Sequence, residues 1–120
     1  MAHFAEIRNN KVVRVIVIDN KNCLDENGIE KESIGILYCE KVFGRSEKGC
    51  RWIQTSYNGK IRKRFAGIGH TYDQAHDCFI PYCGNRGWTI DYDKAEFVPP
   101  IPQPTLQHRW NNETLQWESP

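Results

Sequence analysis

The sequence repeats one ten-residue unit three times in its C-terminal third, as YDQAHDCFIP (72–81), IDYDKAEFVP (90–99) and WNNETLQWES (110–119). Each copy begins with a large apolar residue followed by Asp or Asn, and carries an aromatic residue seven positions after its start. An Asp or Asn side chain starts a turn by binding the backbone that follows it, and proline ends a strand because it cannot donate to a ladder. The unit therefore predicts a tight β-hairpin whose two large residues pair across the strands.

A hairpin of this size is only marginally stable alone, so each copy must lean on the rest of the chain or on a partner. The linker at 100–108 is rich in proline, which predicts an extended and stiff path. Because Trp and Tyr dominate binding hot spots, we expect the aromatic residues of the hairpins to contact a partner. These candidate contact residues are Tyr72, Phe79, Trp88, Phe97, Trp110 and Trp117. The alternative is that the copies are ordinary strands of one larger sheet.

The N-terminal residues predict a different hairpin over 2–18. Residues 4–8 form its short first strand, and Asn9-Asn10 suits a two-residue turn because Asn tolerates positive φ. Residues 12–18 are β-branched at six of seven positions, which predicts a central strand covered on both faces. The helical spacing of apolar residues over 30–43 predicts a covering helix that ends at Gly44.

A loop is predicted over 45–50, and a further hairpin is predicted around Asn58-Gly59, between strands at 51–57 and 60–69. Residues 1–69 then read as β-β-α-β-β, and residues 70–120 as the three proline-terminated hairpins. The predicted class is α+β: a small antiparallel sheet with one covering helix, followed by an extended C-terminal run of short β-hairpins.

Composition narrows the function. The net charge is +1 in 120 residues, so global charge favours neither nucleic acid nor an anionic membrane as a partner. No stretch approaches the roughly 20 apolar residues of a membrane span. The opening MAHFAEIRNN lacks the features of a signal peptide, so we expect synthesis in a cytoplasm. No catalytic signature is present, which predicts a protein that is not an enzyme.

Two clusters invite a chemical reading. His70, His76, Cys78 and Cys83 are soft metal ligands, but their spacing matches no common zinc motif. Free thiols and surface histidines are therefore expected and no cofactor is predicted, with zinc or a Cys78–Cys83 disulfide as alternatives. Lys60, Arg62 and Arg64 would share one face of the predicted strand over 60–69. Charge that protects an edge strand is the favoured reading, and contact with a nucleic-acid backbone or with an acidic partner is the alternative.

Four pieces of the sequence carry a family resemblance: residues 1–6, 13–17, the block 52–69, and the first hairpin unit at 72–81. They resemble an uncharacterised family of small proteins of tailed bacteriophages, especially cyanophages and marine phages. The resemblance implies a virion structural protein made in the host bacterial cytoplasm, with other virion proteins as multiple-copy partners and no catalytic residues. Pro81-Tyr82-Cys83 departs from the proline-rich linker of that family.

The expected function is a docking or clasp subunit in the tail, baseplate or fibre region of a phage particle. A capsid decoration protein is the alternative within the same class. The alternative from another class is an infection-stage protein that binds nucleic acid or a host protein, with the basic residues Lys60, Arg62 and Arg64 as its support.

Overall fold

A computed structural model of the chain describes residues 1–44 and 50–120, so the predicted loop over 45–50 lies, except for Cys50, outside the described residues. One α-helix, one short 3-10 helix at Asn20–Cys23 and nine strands are formed within these ranges. In chain order they are β1 (Ala2–Arg8), β2 (Lys11–Ile18), α1 (Glu32–Phe43), β3 (Cys50–Thr55), β4 (Thr71–Asp73), β5 (Cys78–Ile80), β6 (Thr89–Asp91), β7 (Glu96–Val98), β8 (Arg109–Asn111) and β9 (Gln116–Glu118). The α+β class with a terminal run of hairpins is confirmed.

The main sheet has five antiparallel strands in the order β3-β1-β2-β4-β5. The predicted N-terminal hairpin is confirmed: Asn9 and Asn10 turn the chain with φ of 50° and 64°, and β1 pairs with β2 along its whole length. The register of this pair shifts between Glu6 and Ile7. Such a bulge changes which face of the sheet the following side chains take, and Val12 and Val15 accordingly join the same cluster.

Both faces of β1 are covered, but the predicted cover of the strand over 12–18 is incomplete, since Val13 and Val17 are 37% and 48% exposed. One face packs against α1 and the segment before it, and its cluster consists of Ala2, Phe4, Ile18, Cys23, Cys39 and Trp52. The opposite face is covered by the chain that follows β3, and its cluster consists of Ala5, Ile7, Val12, Ile53, Ala66, Tyr72 and Phe79. The hydrophobic core is therefore two thin layers that share β1 and β2.

α1 begins at Glu32, two residues after the predicted start, and ends at Phe43, with the predicted terminator Gly44 as its C-cap at φ 97°. The helix approaches the sheet through Gly35 and Cys39, which are one turn apart and both buried. A Cβ atom on Gly35 would lie 2.2 Å from Cζ of Phe4, so this glycine permits the close approach. Burial raises the pKa of the Cys39 thiol to about 12, which keeps it protonated and unreactive.

The predicted strand over 60–69 is wrong. The turn itself forms, since the Gly59 N–H donates to the Ser56 carbonyl at 3.0 Å, but residues 60–69 form no strand. Arg62 and Lys63 adopt positive φ of 58° and 67°, which an extended strand does not allow. Side chains take the place of ladder partners: for example, Thr55 Oγ1 accepts the N–H of Ala66 at 3.0 Å.

The first hairpin unit joins the main sheet at the end opposite β3, and so it does not occupy the place beside β3 that was predicted for 60–69. β4 pairs with β2 at Thr71 and Lys11, and β5 pairs with β4. The main sheet therefore continues across the predicted boundary between residues 69 and 70. Only the second and third units, β6–β7 and β8–β9, form separate two-stranded sheets.

Candidate functional site

All three repeat units form the predicted hairpins. The two large residues of each unit face each other directly across the strands, as the sequence pattern predicted. The pairs are Tyr72 with Phe79, Ile90 with Phe97, and Trp110 with Trp117.

The turn chemistry is also the predicted one. The second residue of each unit accepts backbone N–H groups of the turn through its side-chain oxygen, for example Asp73 from His76 at 3.0 Å and Asn111 from Glu113 at 2.8 Å. The sixth residue adopts a left-handed conformation in every copy, although none of the three is glycine. These residues are Asp77, Ala95 and Leu115, with φ of 50°, 53° and 56°.

The structural repeat is longer than the ten-residue unit that the sequence pattern identified. A β-turn precedes each hairpin, at 67–70, 85–88 and 105–108, so the units span fifteen residues each: 67–81, 85–99 and 105–119. Gly69 and Gly87 occupy the same place in the first two turns, with φ of 89° and 85°. A sequence signal exists, because both glycines open the pattern Gly-His/Trp-Thr-Tyr/Ile-Asp, but the third copy replaces the glycine with Gln107.

His70 closes the first of these turns. Its Nδ1 accepts the N–H of Gly67 at 3.1 Å, which requires that this nitrogen carry no proton. The ring lies so close that a Cβ atom on Gly67 would be 2.9 Å from Nε2. Burial, followed by the nearby Arg64 charge, lowers the pKa of His70 below its ordinary 6.5.

We expect the free energy of unfolding to fall as the pH is lowered through about 6.5, with part of the fall due to His70. A lowered pKa in the folded state means that the unfolded chain binds more protons there, so stability rises with pH across this window. Urea titrations at a series of pH values measure the slope, and His70→Gln is expected to reduce it. An unchanged slope in that variant would show that His70 is not its source.

The first hairpin is part of the head, defined here as residues 1–81. Tyr72 and Phe79 are 6% and 0% exposed, and their ring centroids are 5.6 Å apart in the core cluster. Contrary to the expectation from the repeat, these two residues stabilise the fold and present no surface to a partner.

The second hairpin docks its turn on the head. The Tyr92 ring stacks on the His76 ring with centroids 3.5 Å apart and planes 9° from parallel. Lys63 Nζ donates to the Tyr92 carbonyl at 2.7 Å, and Arg64 Nε donates to the Ala95 carbonyl at 2.9 Å. Ala95 is fully buried, so the tip of this hairpin is held and not free.

The third hairpin docks on the turn that precedes the second. The Asn112 side chain accepts the Arg86 N–H at 2.9 Å and donates to the Gly84 carbonyl at 3.1 Å. Leu115 packs over Gly87, where an added Cβ would lie 3.5 Å from it. The second and third hairpins dock in the same way, through the third and sixth residues of their units. In each case a basic side chain of the segment on which the hairpin docks donates to the carbonyl of the third residue: Lys63 to Tyr92, and Arg86 to Asn112.

Three tryptophans complete this junction. The rings of Trp88, Trp110 and Trp117 lie with centroids 5.3–6.0 Å apart, two of the pairs edge to face. Trp110 Nε1 donates to the Arg86 carbonyl at 3.0 Å, and Trp117 Nε1 donates to the Ile101 carbonyl at 2.7 Å. The tryptophans that the sequence marked for a partner therefore join one hairpin to the next.

Trp110→Ala is expected to release the third hairpin and leave the head folded. The substitution removes the bond to Arg86 and two aromatic contacts, and an isolated two-stranded hairpin is marginal in water. Amide hydrogen exchange would show lost protection over 109–118 and unchanged protection in β1 and β2. If protection over 109–118 persists, the tryptophan junction does not hold the hairpin.

Arg62, the middle residue of the predicted basic cluster, forms its hydrogen bonds within the chain. Arg62 donates to both carboxylate oxygens of Glu32, at 2.7 and 3.2 Å, to Asp77 at 2.7 Å and to the Gln54 carbonyl at 2.7 Å. A hydrogen bond from the Tyr72 hydroxyl and the Arg62 guanidinium hold the pKa of Asp77 below its ordinary value. Since Arg62 and Arg64 are both occupied inside the chain, Lys60 is the exposed member of the predicted trio.

The four candidate metal ligands are not brought together. His70 closes a turn, His76 stacks on Tyr92, and Cys78 and Cys83 are free thiols. Across residues 1–44 and 50–120, no group of three or more His, Cys, Asp or Glu side chains is placed to hold a metal ion.

Phe97 and Trp88 reach the surface in a groove beside the second hairpin. The groove has a volume of about 240 Å³, and Pro81, Tyr82 and Glu96 also line it. Tyr82 is 86% exposed at its rim. Of the six aromatic residues predicted to contact a partner, Trp88 and Phe97 are the two that line this groove.

No helix within the described ranges is long and apolar enough to cross a membrane. In comparisons with known proteins, no family model, no curated protein and no solved structure matches this chain.

Proposed function

We propose that this chain is a structural docking protein of a tailed-phage particle, with the head seated on a platform and residues 82–120, the arm, reaching towards a neighbouring subunit. The elongated shape of the molecule carries the proposal. The radius of gyration is 17.9 Å and the long axis is 59 Å, whereas a compact chain of this length has a radius of gyration of roughly 14 Å. The docked hairpins of the arm extend the molecule along one axis, whereas the same residues in a compact domain would enlarge the hydrophobic core.

The surface of the arm suits contact with another protein. Tyr82 and Leu106 are 86% and 90% exposed, and the groove lined by Trp88 and Phe97 lies close to Tyr82. Tyrosine and tryptophan are among the residues that supply most of the binding energy of protein interfaces. The arm is already ordered by its own contacts, so it would lose little conformational entropy on binding.

The setting within a phage particle follows from the family resemblance and not from the geometry. A tail, baseplate or fibre position is favoured, and capsid decoration is the alternative. The nucleic-acid alternative loses its main support, because Arg62 and Arg64 bond within the chain. Binding through phosphate contacts would need free cations on one face.

Quantitative mass spectrometry of particles purified after infection by the phage that encodes this chain tests the setting. We expect the chain in the particle, with a small copy number in multiples of three or six for a baseplate or fibre and a much larger number for a capsid decoration protein. Its absence from purified particles would contradict a virion role.

The role of the arm is tested by two matched substitutions in the full chain. Tyr82→Ala changes an exposed tyrosine of the arm, and Tyr57→Ala changes a tyrosine of the head that is 78% exposed. We expect the first to reduce incorporation into particles and the second to leave it close to the wild-type level. Equal incorporation of the two variants would show that the arm surface around Tyr82 is not the docking surface.

A further inference from the structure

The outward-facing backbone groups of β3 and β2 differ in whether they find hydrogen-bond partners. The edge of β3 is capped by side chains at Gln54, whose N–H donates to Glu32 Oε2 at 2.7 Å and whose carbonyl accepts from Arg62 Nη1 at 2.7 Å. The Glu32–Arg62 pair thus supplies the donor and acceptor that a neighbouring strand would offer. Capping of this kind protects an edge strand from pairing with another chain.

The edge of β2 is closed only at its beginning. The Val12 N–H donates to the His70 carbonyl and its own carbonyl accepts from Gly69, both at 2.8 Å, and the sole ladder pair with β4 is Lys11 with Thr71. Past Val12, no backbone hydrogen bond within the described ranges joins this edge to another segment. Alternate residues over 14–18 therefore direct N–H and C=O groups away from β1, and no strand of residues 1–44 or 50–120 receives them.

The residues along the open edge favour strand pairing. Residues 14–18 read RVIVI, which combines high β-propensity with a single charge and no proline. That charge is already engaged, because Arg14 Nε donates to Glu6 Oε1 at 3.0 Å. None of the residues over 13–17 is buried, and Val17 is 48% exposed. Natural edge strands of this composition are normally blunted by lysine, proline or a covering segment.

We propose that β2 pairs with β2 of a second copy of this chain, antiparallel and about a two-fold axis near Ile16, so that two main sheets join into one. Antiparallel pairing places the two Arg14 side chains at opposite ends of the junction. Parallel pairing in register would set them side by side, which like charges disfavour. The self-complementary partner is thus a second copy, and main-chain bonds plus β-branched cross-strand pairs hold the two strands together.

This interface is independent of the proposed virion role. It uses the N-terminal head, whereas the docking surface proposed above belongs to the arm. A dimer joined at β2 would carry two arms on one continuous platform.

Sedimentation of the full chain over a roughly hundredfold range of concentration measures the association directly, since dimer formation depends on concentration. Amide hydrogen exchange at the two ends of that range locates it. We expect monomer and dimer in equilibrium, with alternate amides over 14–18 fast-exchanging in dilute solution and protected when concentrated. A chain that stays monomeric throughout, or a dimer that protects a different segment, would overturn the proposal.

A matched pair of variants tests the edge itself. Val17→Lys places a charge twice in the junction, once from each copy and close to the axis, and we expect it to weaken dimerisation by roughly tenfold or more. Val17→Thr keeps the β-branched shape and is expected to dimerise within a few fold of the wild type. Circular dichroism and protection of β1 amides confirm that both variants fold. Equal dimerisation of the two variants would contradict pairing through β2.

Discussion

Replacing Arg62 with alanine is expected to lower the free energy of unfolding by about 2 kcal/mol, because it removes the least exposed member of a partly buried ionic network. The guanidinium side chain is 15% exposed, and it joins Glu32 of the helix, Asp77 of the first hairpin and the backbone of β3. Its removal leaves the Glu32 carboxylate without its cation and the Gln54 carbonyl without its donor. Three parts of the head would lose their common contact at once.

Urea denaturation followed by circular dichroism measures this effect. Lys60→Ala is the matched control, because it removes an exposed cation two residues away and should change stability by no more than about 0.5 kcal/mol. Arg62→Lys is expected to fall between the two, since lysine keeps the charge but cannot reproduce the fork of donors. A stability of Arg62→Ala within about 1 kcal/mol of the wild type would show that the network is not central.

Gly35→Ala is expected to destabilise the head by about 2 kcal/mol, although alanine is the better helix former by about 1 kcal/mol. The added Cβ would lie 2.2 Å from Cζ and 2.8 Å from Cε1 of Phe4, and Phe4 is fully buried. Either the ring or the helix must move, and both are packed. The clash therefore outweighs the gain in helix propensity.

A second substitution distinguishes this clash from a general effect on the helix. Phe4→Leu removes Cζ, so it is expected to cost less stability in the Gly35→Ala background than in the wild type. The double-mutant cycle from thermal or urea unfolding should give a favourable coupling of about 1 kcal/mol. Ser33→Ala, at an exposed position of the same helix, serves as the control. A coupling near zero would mean that the two side chains do not meet.

The three hairpins could be predicted from the sequence because their determinants are local. The Asp or Asn that starts each turn and the paired large residues lie within ten residues, as does the closing proline of the first two units, and Pro120 directly follows the third. The N-terminal hairpin is predictable for the same reason, through Asn9-Asn10 and the β-branched run over 12–18. The turn that precedes each hairpin was missed, because Gln107 breaks the glycine pattern in the third copy.

The strand predicted over 60–69 failed for a reason that no local pattern contains. Asn58-Gly59 does make a turn, but Arg62 is drawn to Glu32, thirty residues earlier in the chain. The positive φ of Arg62 and Lys63 accompanies that arrangement and excludes a strand. Side chains then cap the edge of β3 at Gln54, and the first hairpin extends the sheet from β2 instead.

An aromatic residue in the sequence does not by itself mark a contact with a partner, because most of the predicted contact residues pack within the chain. Tyr72 and Phe79 are core residues, and three tryptophans bind one hairpin to the next. Which aromatic residues stay exposed depends on how the hairpins dock, and docking depends on long-range contacts such as those of Lys63 with Tyr92 and of Arg86 with Asn112. The exposed Tyr82, in a linker, was not among the predicted contact residues.

The central claim is that the hairpins dock one on the next into an ordered arm. Small-angle X-ray scattering of the full chain in dilute solution tests it most directly. The account predicts a radius of gyration close to 18 Å and a longest dimension close to 59 Å. A value near 14 Å, as for a compact chain of this length, would contradict it, and so would the larger value and featureless decay of a flexible tail.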